Sequence, residues 1–365
     1  MRHVDEFRSS STCLRLLKQI RETASVPWVL MDVCGGQTHG LVKSGIEQTL
    51  AGVVELIHGP GCPVCVTPAE AIDFAIQLVT EENVLLATFG DMVRVPGSRQ
   101  SLMQARSMGA DVRVIYSPID AVTLAQQHPD RQVVLFAVGF ETTAPATALA
   151  VLQASEQRLG NFSLLVSHVR VQPAMEAILQ MPDCRVQAFL AAGHVATVTG
   201  FHELGSLADR YHVPVVVTGF EPVDLLMGIL DCVEQLEAGS CRVSNQYGRH
   251  VQQRGNRAAQ AIVERVYQVA TTPWRGFGQI VEGGLRLREP FASFDACNRF
   301  QSLAETAERD PDVCRAADVM AGRIKPKQCP EFGITCTPDA PRGAPMVSSE
   351  GACAAYYRFQ NRPPQ

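Results

Sequence analysis

Cys62 and Cys65 end the stretch GPGCPVC (59–65), and their two-residue spacing lets the thiols close a small disulfide ring. Two glycines and two prolines within seven residues exclude a helix interior or a central strand, so the stretch is a preset loop. A redox dithiol is one chemistry open to it. Zinc is another, because CxxC is half of many zinc sites and Cys34, His39 and His58 are available to complete one. The spacing predicts a helix near Thr67, with Pro68 at its first position and Glu70 closing a capping box. Cys65 would then lie near the positive end of that helix, which favours the thiolate.

Cys34 opens CGGQTHG (34–40). Gly35 and Gly36 let backbone approach a ligand closely, and Gln37, Thr38 and His39 supply polar support. A thiolate ligand or a nucleophile is the chemistry this favours; a buried cysteine before a tight turn is the plain alternative. Glu141 and Glu221 each follow Gly-Phe after an apolar run, where a carboxylate serves proton transfer or simply a helix start. His194, after Gly193, can act as a ligand, a proton donor or a core hydrogen-bonding residue, and His168 and His58 carry weaker claims.

Cys314, Cys329, Cys336 and Cys353 form a late group with spacing C-x14-C-x6-C-x16-C, in a segment with little core of its own. Zinc and iron–sulfur clusters both accept four thiolates. Zinc ribbons usually carry close CxxC pairs, absent here, so the spacing favours a cluster. Cys13, Cys184, Cys232, Cys241 and Cys297 stand alone and are read as packing residues. Clustered cysteines in a chain of a reducing compartment point to metal or redox chemistry rather than structural disulfides.

These residues need strands to carry them. Continuous apolar runs at 26–33, 53–58, 83–89, 112–116, 132–138, 162–167, 187–192 and 213–219 suit strands buried on both faces of parallel sheets. Helical patterns fill the gaps: Asp120 is placed to cap one helix, Pro145 to open another, and Leu225, Leu226, Ile229, Leu230 and Val233 stripe a third. A polar helix is expected near 250–269, then a Gly-rich turn at 274–278. The expected class is α/β: two Rossmann-like parallel-sheet lobes around a cleft plus a small cysteine-rich iron–sulfur domain. The expected division is 24–130, 131–238, and 239–365 with an N-terminal helix at 1–23. The motif loops all follow strands, so they should converge on one cleft at the strands' carboxyl ends.

The net charge of −5, without a long basic run, argues against nucleic acid. No stretch reaches transmembrane length and no apolar signal core opens the chain, so no membrane and a cytoplasmic address are expected. No P-loop is present.

CGGQTH, HGPGCPVC, GFETT, GHV, GFEPVD and the late four cysteines, in that order, resemble the HypD family of [NiFe]-hydrogenase maturation factors. TFGDMVRVPG (88–97) and residues 344–357 match as well, so the likeness runs from about residue 25 to 358. The resemblance implies an assembly scaffold with redox activity rather than a stand-alone enzyme. On it an Fe(CN)2CO unit is built together with a HypC-type small chaperone, a HypE-type protein donates cyanide, and the hydrogenase large-subunit precursor is served indirectly. By position, Cys34 with Gly35 and Gly36 would help hold the iron, Cys62 and Cys65 would be the redox pair, and Cys314, Cys329, Cys336 and Cys353 would bind a [4Fe-4S] cluster. This chain departs from the family pattern at Gln37, where many members have histidine, and at Ala192, Ala196 and Ala316, which replace a proline, a serine and a C-x-C cysteine. An independent iron–sulfur dithiol oxidoreductase and a zinc-stabilised binding protein are the competing readings.

Overall fold

The computed structural model describes residues 5–82, 84–301 and 314–360. Residues 1–4 of the expected N-terminal helix, Asn83, and 302–313 and 361–365 of the expected third domain lie outside the described residues.

Every expected apolar run forms a strand: β1 (Trp28–Asp32), β2 (Val54–His58), β3 (Leu85–Thr88), β4 (Val112–Val114), β5 (Val133–Gly139), β6 (Phe162–His168), β7 (Ala188–Ala192) and β8 (Val215–Thr218). Each residue of β3, β5, β7 and β8 is buried, which is why these runs show no polar alternation. Three further strands follow: β9 (Val243–Asn245), β10 (Tyr267–Trp274) and β11 (Gly278–Leu287). One parallel sheet has the order β2-β1-β7-β8-β9, a second β4-β3-β5-β6, and β10 and β11 pair as an antiparallel hairpin.

Sheet membership does not follow the contiguous division 24–130 and 131–238. The chain lays down β1 and β2, leaves to build the whole second sheet, and returns with β7 to pair β1 on its other edge. Nor does 239–365 stand apart. Short β9 extends the first sheet. The N-terminal helix Ser10–Thr23 buries Leu16 and Ile20 in the core shared with the helix Pro222–Glu237, not against the C-terminal segment.

The polar helix expected at 250–269 is shorter, Arg257–Val266, and the chain is extended from Tyr267. Residues 267–274 alternate between buried or partly buried and exposed, the period of a half-covered strand. The Gly-rich turn is the hairpin tip, with Gly276 and Gly278 at positive φ. Helix starts shift by a residue or a few. Ser117 caps Pro118–Gln127, and Asp120 closes its capping box from the third position. Pro63–Val66 forms a separate helical turn, and Ala69–Glu81 starts after Pro68, so Thr67 ends one helix instead of capping the next. Cys65 therefore lies inside a single turn, not at the head of the longer helix.

Candidate functional site

Four motif loops leave the carboxyl ends of the first sheet, after β1, β2, β7 and β8. The fifth, after β5, reaches in from the second sheet and puts Phe140 into the same core as Cys62 and Cys65. That core also takes Met31, Ile57, Phe189 and Val217 from the first sheet and Trp274 from the hairpin, so the dithiol lies between the sheets.

Cys34 ends an extended segment after β1 and caps the helix Gly35–Lys43. It is 9% exposed. Burial and the nearby Glu350 push its thiol up to about 12, although the amides of Gly36 and Gln37 donate to the sulfur and oppose the rise. The group is thus a buried thiol facing N–H donors, stable as a thiolate only beside a cation.

The GPGCPVC loop is pressed onto Cys34. The Gly35 amide donates to Gly61 O at 2.8 Å, and the Gly59 amide donates to Asp32 O at 2.8 Å. A β-carbon on Gly61 would stand 2.3 Å from the Cys34 amide nitrogen, so only glycine fits. Cys62 and Cys65 follow at once, 4% and 1% exposed and joined as a disulfide. The hairpin closes the other side: the Arg275 amide donates to Val66 O at 2.8 Å, and Trp274 packs 6.0 Å from Phe140.

Phe220 supplies the remaining wall. A β-carbon on Gly36 would lie 3.0 Å from its ring. His194 stacks on Phe220 at 3.8 Å between centroids, and partial burial lowers the His194 pKa. The loop is anchored by Asp224, whose two oxygens accept from Arg249 at 2.6 and 2.7 Å. Gln37 donates to Ala191 O at 2.9 Å and to Thr218 O at 3.2 Å, binding the Cys34 helix to β7 and β8.

A buried polar network joins these loops to the C-terminal helix Ala352–Phe359. Thr38 donates to one Asp32 oxygen at 2.5 Å, and His58 Nδ1 meets the other at 2.5 Å. Tyr356 donates to Glu47 at 2.5 Å and lies 3.3 Å from His58 Nε2, and Lys325 reaches Glu47 at 2.6 Å. Burial works against the charged imidazole, but Asp32 and Glu47 outweigh it and hold His58 at about 9. Burial likewise opposes ionisation of Glu47, and His58 and Lys325 still bring it down to about 2.

The remaining expected residues are dispersed around this centre. His39 shares the Cys34 helix but turns to the C-terminal segment, 3.2 Å from Ser349 O and edge-on to Phe359. Glu221 caps Pro222–Glu237 and accepts two hydrogen bonds from Arg8, at 2.6 and 2.7 Å, which lower its pKa and hold it ionised on the rim. It is a capping residue in an ion pair. Glu141 lines a cavity on the far side of Ala191 and Ala192, where burial raises it to about 7.

Cys314, Cys329, Cys336 and Cys353 lie in the described C-terminal segment. Burial pushes the Cys353 thiol well up, and Cys314, Cys336 and Cys329 all add to the rise. Thiols that oppose each other's ionisation in this way are a donor set that a cationic cluster would relieve, and they fit one chemically. They are not at coordination spacing: among the described residues no three His, Cys, Asp or Glu side chains are grouped to hold a metal ion. Ser349 and Glu350 of this segment lie against the Cys34 helix; a β-carbon on Gly35 would lie 2.4 Å from Glu350 Cβ.

Gly61, Phe220, Asp32 and Tyr356 were not singled out from the sequence. In both Gly-Phe-Glu triplets the sequence points to the glutamate, whereas it is the phenylalanine that meets the thiol centre. The repeat itself was the available signal.

A disulfide and a third buried thiol at the carboxyl end of a parallel sheet, covered by a segment with four more cysteines, define a thiol-centred α/β protein. A family model described as "HypD: Hydrogenase formation hypA family" matches residues 11–360. The hydrogenase maturation factor HypD of Escherichia coli (strain K12) is 44% identical over 99% of this chain and 99% of its own length. Those of Azotobacter vinelandii and Rhodobacter capsulatus are 45% and 43% identical over 98% of this chain, covering 97% and 98% of their own lengths. The chain belongs to the HypD family of hydrogenase maturation factors. Among the described residues no helix is long and apolar enough to cross a membrane.

Proposed function

We propose that this chain is a scaffold on which the iron of a [NiFe] hydrogenase receives its cyanide and carbon monoxide ligands. The iron unit is cargo: Cys34 holds it together with a thiol of a HypC-type chaperone, and a HypE-type donor brings cyanide. The supporting observation is the seat of Gly61 on the Cys34 backbone, which sets the Cys62–Cys65 disulfide beside the candidate iron ligand. Reduction of that disulfide takes two electrons and two protons and leaves two thiols. Gly36 and Gln37 amides steady sulfur charge at Cys34, while Phe220, Phe140 and Trp274 keep water from the thiols. Cys314, Cys329, Cys336 and Cys353 would hold a [4Fe-4S] cluster, which supplies one-electron chemistry when bound.

The test is co-purification with the small chaperone under anaerobic conditions, followed by infrared spectroscopy. Bands of iron-bound cyanide and CO are expected with the wild-type chain and not with Cys34→Ala; their persistence in the variant would remove Cys34 from the iron. Roughly four irons and four sulfides per chain are expected for the cluster, and stoichiometric zinc without sulfide would sink it. Cys62→Ser should keep those irons yet fail to deliver the cofactor.

A further inference from the structure

Two distant points of the C-terminal segment meet on one carboxylate. Glu47, on the helix Ile46–Thr49, is largely buried. Tyr356 Oη donates to its Oε1 at 2.5 Å, and Lys325 Nζ donates to the same oxygen at 2.6 Å. Gln360 donates to Oε2 at 3.1 Å, and Lys325 also donates to Leu56 O on β2. Residues 325–356 are therefore a strap with both ends tied to one residue, and the strap carries Cys329, Cys336 and Cys353. The tie borders the dithiol loop, because His58 Nε2, 3.7 Å from Glu47 Oε2, belongs to the last residue before GPGCPVC.

Between its ties the strap crosses the thiol centre. Ala344 and Val347 share a core with Val64, which stands between Cys62 and Cys65. Ser349 O meets His39, and Glu350 sits on Gly35, the residue after Cys34. Cys34 is thereby shut in, and another protein's thiol reaches it only if part of the wall moves. Gly61 meets Cys34 through main chain on both sides, which leaves the Phe220 ring and the strap as the movable parts. The strap's hold is slight. It pairs with no strand of either sheet, and residues 327–342 are exposed or half-buried apart from Cys336. At its far end only Ala355 and Tyr356 are buried against Val42. A segment with few buried apolar contacts and no sheet bonds opens at lower free energy than the core. We propose that residues 325–356 are a gate over Cys34 and the Cys62–Cys65 disulfide, tied shut at Glu47, which lifts to admit a partner's thiol while both sheets stay folded. The partner rests on the assembly role above. The opening itself needs no iron, cluster or partner, so either can fail without the other.

The purified full chain is followed at increasing urea, below the unfolding midpoint, by two rates: Cys34 alkylation with iodoacetamide and amide hydrogen exchange, both read by mass spectrometry. A local opening exposes little surface, so Cys34 alkylation and exchange in residues 344–356 should scarcely respond to urea, whereas exchange in β5 should rise steeply. Tyr356→Phe removes one tie and Lys325→Met another. Each should speed Cys34 alkylation roughly 10- to 100-fold, the worth of a hydrogen bond to a charged group, and speed exchange in residues 344–356 by the same factor. Samples of equal iron content are compared, so that loss of metal is not read as loss of the tie. Circular dichroism checks that each variant folds, and the wild-type urea response decides the matter if neither does. Cys34 alkylation that rises with urea in step with β5 exchange, an unchanged rate in a folded variant, or faster alkylation without faster exchange in residues 344–356 would each overturn the proposal.

Discussion

Gly61 rests on the backbone of Cys34 so closely that a β-carbon would stand 2.3 Å from the Cys34 nitrogen and 2.5 Å from its Cα. Because both partners are main chain, no rotamer change can make room. Gly61→Ala should therefore destabilise the fold by about 1–3 kcal/mol, the usual range for overpacking. Urea unfolding measures the loss. The disulfide should still form, since Cys62 and Cys65 share one helical turn, but Cys34 should alkylate faster than in the wild type as the loop lifts.

Phe220 carries a second prediction about the same thiol. The Cys34 thiol is held up at about 12, chiefly by burial. It should resist iodoacetamide at pH 8. Phe220→Ala opens the wall at Gly36, and each ~1.4 kcal/mol of lost burial penalty should speed alkylation ~10-fold. Mass spectrometry of the Cys34 peptide gives the rate; an unchanged rate would show that Phe220 does not shield the thiol.

The buried His58 makes stability depend on pH. Its folded value, about 9, lies above the 6.5 of a free imidazole. Its contribution is therefore fully present below about pH 6.5 and is lost as pH rises through about 9. The wild-type denaturation midpoint should fall across that window. His58→Gln should remove most of this slope and lower stability at pH 6 by about 3–5 kcal/mol, as expected for breaking a buried ion pair.

Glu141 gives a dependence that a neutral isostere can isolate. Burial raises its carboxyl from 4.5 to about 7, so its share of stability is present below pH 4.5 and is lost as pH rises through 7. Glu141→Gln has no such loss. It should match the wild type near pH 4.5 and exceed it at pH 8 by about 1–3 kcal/mol in denaturant titrations. Equal stability at both pH values would mean that the carboxyl is solvated.

Part of the site was legible from residue order alone. GPGCPVC reads as a tight loop, and the structure has that loop as far as Cys62, then one helical turn at Pro63–Val66, with the two thiols joined. The environment of each carboxylate was not legible. Glu141 and Glu221 share the same two preceding residues, yet one lines a cavity and the other pairs with Arg8, more than two hundred residues earlier in the chain. Partners so distant in sequence leave no local mark. The β10–β11 hairpin escaped because its first strand runs straight on from an amphipathic helix, with no turn residue between Val266 and Tyr267.

The sequence by itself determined the α/β class, eight strands of the two sheets, and the motif loops that follow them, because buried strands and turn residues leave local patterns. Only the tertiary structure decided that β7 returns to β1 while β3 to β6 form a sheet of their own. The main-chain groups along a strand edge are alike in every strand, so pairing is selected by the packing of distant side chains. That choice brings Phe140, Phe220 and Trp274 around Cys34, Cys62 and Cys65, and makes a thiol centre from loops scattered over the chain.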